Sequence, residues 1–148
     1  MITDTHRRVT IRFALPPRGL APNGSFGFWP GHARAAKAYR TECFWDAVLW
    51  ARNHEPQAPF VIAEIALAFV YCQTRRLRRY CPTDIDNAIA ATKPLRDGLV
   101  DAGLLVTDTA QRLRFGSVTI SRHARHRSGE GCPGSAVVVT LREVGNAA

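Results

Sequence analysis

Hydrophobic and polar positions alternate at two periods along this chain, and the switches between them mark its elements. Residues 8–15 alternate strictly, with Val9, Ile11, Phe13 and Leu15 on one side and Thr10, Arg12 and Ala14 on the other, which predicts a half-buried strand. Pro16 and Pro17 end it, because proline cannot continue a central ladder. The stretch PPRGLAPNGSFGFWPG is rich in breakers and reads as a long loop, whose Phe26, Phe28 and Trp29 pin it to the core or stack on bases. Over residues 32–53 the period lengthens to that of a helix. Ala35, Tyr39, Phe44 or Cys43, Val48 and the Trp50-Ala51 pair form its apolar stripe, leaving Arg34, Lys37 and Arg40 as a solvated face. Residues 60–71 are nearly all apolar in a short run, as expected of a buried central strand.

After Pro82 a second helix is expected, with Thr83 as N-cap and Asp86 as its capping-box partner. Ile85, Ala88, Ile89, Thr92, Leu95 and Leu99 follow the buried stripe, and Asp86, Lys93 and Asp97 fall along the opposite face. Pro94 removes a bond to the carbonyl of Ala90 and should kink or divide this helix, and Gly103 stops it. Residues 113–121 and 136–144 read as two more strands, the first with a bulge at Gly116 or Ser117, joined by a hairpin tip RHARHRSGEGCPG. The sum is one α/β domain of the α+β kind over residues 1–148: a small mixed sheet of about four strands with two main helices packed on it. Residues 1–7 and 145–148 read as flexible ends.

Charge narrows the partners. The net charge is +8 and comes from 18 arginines against two lysines. Guanidinium forks match phosphate oxygens, so a phosphate-rich partner is implied. Arg75, Arg76, Arg78 and Arg79 crowd five positions after the central strand, and Arg122, Arg125 and Arg127 with His123 and His126 make a second basic patch. No apolar run approaches the roughly 20 residues of a membrane span, and the N-terminus lacks an apolar signal core. A soluble, cytoplasmic protein is expected, with Cys43, Cys72, Cys81 and Cys132 as reduced thiols; a zinc site from Cys132 with His123 and His126 is the minor alternative.

Within this basic chain, five of the twelve acidic residues fall in residues 83–108: Asp84, Asp86, Asp97, Asp101 and Asp108. Two carboxylates about 4 Å apart repel by roughly 4 kcal/mol at an effective dielectric near 20, so such a crowd must be spread, solvated or shared around a cation. A hard divalent cation with oxygen ligands, Mg2+ above all, suits phosphate chemistry. Capping and dipole complementarity at a helix start account for one of these acids without any cation.

The pattern resembles the RusA family of crossover junction endodeoxyribonucleases, the Holliday junction resolvases common in phages and prophages. The likeness rests on Pro16-Pro17 with Asn23 after the first strand, and on a strand running through a basic loop into Asp84-x-Asp86-Asn87. It continues with Lys93 four residues before Asp97-x-Leu99, and with Ala102-Gly103 followed by Asp108. Two features depart from the family pattern: the interval from Asn87 to Lys93 is longer, with Pro94 following at once, and Thr107 stands where a second acid is common. The resemblance implies an α/β homodimer that binds four-way DNA junctions during recombination and repair and nicks two strands with Mg2+, Mn2+ being a possible substitute. It implies that Asp84, Asp86 and Asp108 hold the metal, that Lys93 is also required, and that Asn23, Asn87 and the arginines of both basic patches meet the DNA. The rival expectation is a non-catalytic basic DNA-binding module whose acids cap and solvate a helix. An aspartyl-phosphate phosphatase fits less well because arginines separate the Asp-x-Asp from its strand, and a calcium loop fails because Ala88 and Ile89 occupy the place of the turn glycine.

Overall fold

The computed structural model describes residues 6–21, 29–55, 58–72, 79–123 and 134–145. Its elements are β1 (Arg8–Phe13), a 3-10 turn (Arg18–Leu20), α1 (Trp29–Arg52), β2 (Ala63–Cys72), α2 (Ile85–Ala91), α3 (Lys93–Asp101), β3 (Leu113–His123) and β4 (Ala136–Glu143). The four strands form one mixed sheet in the order β1-β4-β2-β3, with β2 and β3 parallel and the other pairs antiparallel. Alternation puts Val9, Ile11 and Phe13 of β1, Ile65, Leu67 and Phe69 of β2, and Val137, Val139 and Leu141 of β4 into one core. Tyr39, Cys43 and Ala47 of α1 and Leu95 and Leu99 of α3 pack into it. This is the α+β architecture expected from the pattern, and no helix among the described residues is long and apolar enough to cross a membrane.

Several local expectations need correction. The strands β3 and β4 are not neighbours; both pair with β2, on its opposite edges, so the expected hairpin between them is not formed. The most apolar strand takes two partners, which puts it between them. The bulge falls where the phase break placed it: Ile65 pairs with Phe115 and Leu67 with Val118, leaving Gly116 and Ser117 opposite Ala66 alone. The first helix begins at Trp29; of the two alternatives Phe44 and Cys43 it is Cys43 that is buried, and Ala47 rather than Val48 continues the stripe, while Trp45 and Leu49 are each 58 % exposed. Cys72 is disulfide-bonded, against the expectation of four reduced thiols, whereas Cys43 and Cys81 are free.

The second predicted helix is divided, as the proline required. Helix α2 ends at Ala91, Thr92 takes φ −93° and ψ 5°, and Pro94 opens α3 where its missing N–H costs no bond. The buried Thr92 hydroxyl donates back to the carbonyls of Ala88 and Ile89, satisfying itself inside the junction. Gly103, at φ +76°, ends α3 in a Schellman motif, with Leu104 N–H on the Leu99 carbonyl and Gly103 N–H on that of Val100. From there Phe60 and Leu105 form a bridge that returns the chain toward the sheet, carrying Asp108 past the end of α3.

Candidate active site

The acids of residues 83–108 separate into two groups. At the start of α2, Asp84 rather than Thr83 is the N-cap: its Oδ1 accepts the Asn87 backbone N–H at 2.8 Å and its Oδ2 the Asn87 side-chain amide at 2.8 Å. One carboxylate thus meets the third helical N–H and the amide beyond it, which a threonine one residue earlier does not reach. Asp86 lies exposed in the same first turn, where the helix dipole favours it. Asn87, expected to meet DNA, is bound to Asp84. Replacing Asp84 by alanine is expected to lower stability by about 1 kcal/mol, equally with and without Mg2+, in thermal unfolding. A cost that grows when Mg2+ is added would assign this carboxylate to a cation instead of to the cap.

The second group is built on α3. Lys93 and Asp97, one turn apart, meet at 2.5 Å, and the Lys93 ammonium donates to Asp108 Oδ2 at 2.6 Å. On the far side of Asp97 stands Arg40 of α1, at 4.0 Å from Asp97 and doubly bonded to Asp101, Nε to Oδ2 at 2.6 Å and the terminal nitrogen to Oδ1 at 2.7 Å. The hydrogen bond from Arg40 holds the Asp101 carboxyl below its ordinary pKa, and the same bond raises that of Arg40. Arg40 therefore fastens α1 to α3 while remaining exposed on the solvated face. Partial burial pulls the Lys93 ammonium down, but its bonds to Asp108 and Asp97 outweigh this, and its pKa lies above the ordinary lysine value. Lys93 is a fixed cation at neutral pH.

Asp108 has a second cation behind it. The Arg96 guanidinium reaches its Oδ2 at 3.5 Å and the Ile89 carbonyl at 3.3 Å, with its carbon 5.1 Å from the centre of the Phe115 ring. Arg96 is 8 % exposed, burial lowers its pKa from the ordinary arginine value, and its Nε is sealed off with no hydrogen-bond partner. Asp101, Arg40, Asp97, Lys93, Asp108 and Arg96 thus form a chain of alternating charge from α1, across α3, to the segment before β3.

The three aspartates expected to share one ion are not brought together. Among the described residues no three His, Cys, Asp or Glu side chains form a set that could hold a metal ion. Asp84 is engaged at both oxygens, and Asp108 faces two cations at one. This arrangement does not fit a ready three-carboxylate centre. Asp84 and Asp86 stand at the start of α2, Asp108 follows α3, and the break at Thr92 puts Asp86 and Lys93 on different helices.

The basic residues also divide. Arg79 donates to the Leu15 carbonyl at 3.3 Å and to Glu42 of α1 at 3.4 Å, contacts that tie it to the helix. Arg122, at the end of β3, donates to the Pro82 carbonyl at 3.3 Å, which ties the sheet to the approach to α2. Asn23, Arg75, Arg76, Arg78, Arg125 and Arg127 lie outside the described residues, as do Phe26, Phe28, His126 and Cys132. Arg96 was not singled out by helical periodicity. The signal was there: it lies on the stripe of Thr92, Leu95 and Leu99, where an apolar residue belongs. No protein-family model matches this chain, and no curated protein matches it.

Proposed function

We propose that this protein is a structure-selective endodeoxyribonuclease that nicks four-way DNA junctions. The observation that carries the reading is the contact of Lys93 with Asp108, 15 residues apart in sequence and 2.6 Å apart in space. These are two residues that the likeness to the RusA family assigns to one reaction, and neither helical periodicity nor capping requires them to meet. The element order around them, a strand, a long helix, a strand, an acid-bearing helical segment divided into α2 and α3, and two strands, is compatible with the resemblance. In this reading Lys93 neutralises charge that builds on the phosphate as water attacks, and Asp108 and Asp97 hold the ammonium where that charge appears. A requirement for Mg2+ or Mn2+, a homodimer with two equivalent sites, and contact of the arginine-rich segments with DNA belong to the same proposal.

One observation favours a second reading. Asp84 acts as a helix cap with both oxygens occupied, as a basic DNA-binding module with a purely structural acidic cluster would have it. Incubation of a synthetic four-way junction and a linear duplex of the same sequence, each with Mg2+, Mn2+ or a chelator, separates the two. The nuclease reading expects cation-dependent nicks near the crossover of the junction alone. Retarded junction without nicks under every condition would establish the binding module.

A further inference from the structure

We propose that Arg96 is a positioning residue: its buried guanidinium holds the Asp108 carboxylate turned toward the Lys93 ammonium. This rests on the reading of the Lys93–Asp108 pair given above. Both cations meet the same oxygen, Oδ2, Lys93 at 2.6 Å and the Arg96 terminal nitrogen at 3.5 Å. An oxygen held from two directions fixes the rotation of the carboxylate, which one flexible lysine alone does not.

For the fold alone, arginine is a poor choice at this position. Arg96 is the one charged side chain among the described residues that is buried, at 8 % exposure, and it lies on the stripe whose other members are Leu95, Leu99 and Thr92. Its Nε is out of contact with water and has no partner, and its two polar contacts, at 3.3 and 3.5 Å, are long. Desolvating a guanidinium for so incomplete a set of bonds is unfavourable, and apolar residues of similar volume commonly replace such groups without loss of stability. What the side chain does accomplish is local. The Phe115 ring and the Ile89 carbonyl confine the guanidinium, so its contact with Asp108 has little freedom to move. A rigid cation behind a carboxylate, with a second and more exposed cation in front of it, sets the place where a phosphate would meet Lys93.

The test uses Arg96→Met and Arg96→Lys in the full chain, with three readouts. The chain has only two lysines, Lys37 and Lys93, so the ammonium region of a 15N spectrum contains two signals, and a Lys37→Arg background leaves that of Lys93 alone. In the wild type the Lys93 ammonium, held by Asp97 and Asp108, is expected to exchange slowly and give a sharp signal. Arg96→Met is expected to melt at the wild-type temperature or above it, to broaden or lose that signal, and to nick junctions about a hundredfold more slowly at unchanged junction affinity. Arg96→Lys, which restores a charge without the planar fork, is expected to recover nicking in part; it adds an ammonium of its own, so the Lys93 signal is read in Arg96→Met. A sharp Lys93 signal and wild-type nicking in Arg96→Met overturn the inference. So does a melting temperature that falls in step with the other readouts, which marks Arg96 as structural support. If the wild type nicks no junction, the nuclease reading fails, and the ammonium signal still decides what Arg96 does to Asp108.

Discussion

Asp108→Asn is expected to slow nicking of a four-way junction by about a hundredfold to a thousandfold while leaving junction binding in place. The amide keeps the shape of the side chain and removes its charge. Lys93 then loses one of its two anions, and Arg96 loses its one carboxylate partner among the described residues. The second loss has a separate signature, because a buried guanidinium without its counter-charge destabilises the fold. The pair is long at 3.5 Å, and the Asp108 side chain is 18 % exposed, so a cost of about 1–3 kcal/mol is expected rather than the upper end for a fully buried pair. Asp97→Asn makes the comparison: it also takes an anion from Lys93 but leaves Arg96 paired, so it should slow nicking less and melt near the wild type. Single-turnover nicking rates and thermal unfolding on the same preparations measure both effects. Wild-type nicking by Asp108→Asn would remove the Lys93–Asp108 pair from the chemistry.

The largest effect on the fold alone is expected at Gly98. Here α3 crosses α1 so closely that a β-carbon added to Gly98 would stand 2.9 Å from the Arg40 carbonyl oxygen, 3.1 Å from the Phe44 nitrogen and 3.2 Å from the Cys43 β-carbon. Two of these neighbours are backbone of a long helix and cannot turn aside. Helix propensity favours alanine over glycine by about 1 kcal/mol, whereas overpacking of this kind costs about 1–3 kcal/mol, so the clash outweighs the propensity. Gly98→Ala is expected to lose about 1–2 kcal/mol net and to melt roughly 3–6 °C lower, with Gly98→Val falling further. Separating the helices also stretches the Arg40–Asp101 and Arg40–Asp97 contacts, so the ion chain should loosen with the fold. Gly31, in the first turns of α1, has nothing within 4 Å of an added β-carbon and supplies the control. There alanine should stabilise, since propensity acts without a clash. A Gly98→Ala protein as stable as the wild type would mean that the two helices do not pack at this distance.

Much of the architecture was legible in the residues themselves. The alternation of Val9, Ile11 and Phe13, the apolar run that became β2, the phase break at Gly116 and the stops at Pro94 and Gly103 are local signals. Each depends on backbone geometry or on a period of two or of a helical turn, so each could be read without knowing what lay opposite. Where several residues competed for one role the reading slipped by one position. Asp84 caps α2 in place of Thr83, and Ala47 faces the core in place of Val48, beside Cys43 rather than its alternative Phe44. In the second case the bulk of Phe44 and Val48 argued for burial, but the close crossing at Gly98 admits only small side chains.

The sequence by itself determined the inventory: which segments are strands and helices, where they break, and that acids and bases are concentrated between β2 and β3. Only the tertiary structure decided the pairing. It placed β2 between β3 and β4, turned Arg79 onto Glu42, joined Arg40 to Asp101, and set Asp108 against Lys93 and Arg96 while leaving Asp84 and Asp86 on another helix. The reason is physical. A period reports which face of an element is apolar, but a charge meets whichever opposite charge the crossing of two helices brings within a few ångströms, and that crossing depends on side-chain volume far away in sequence.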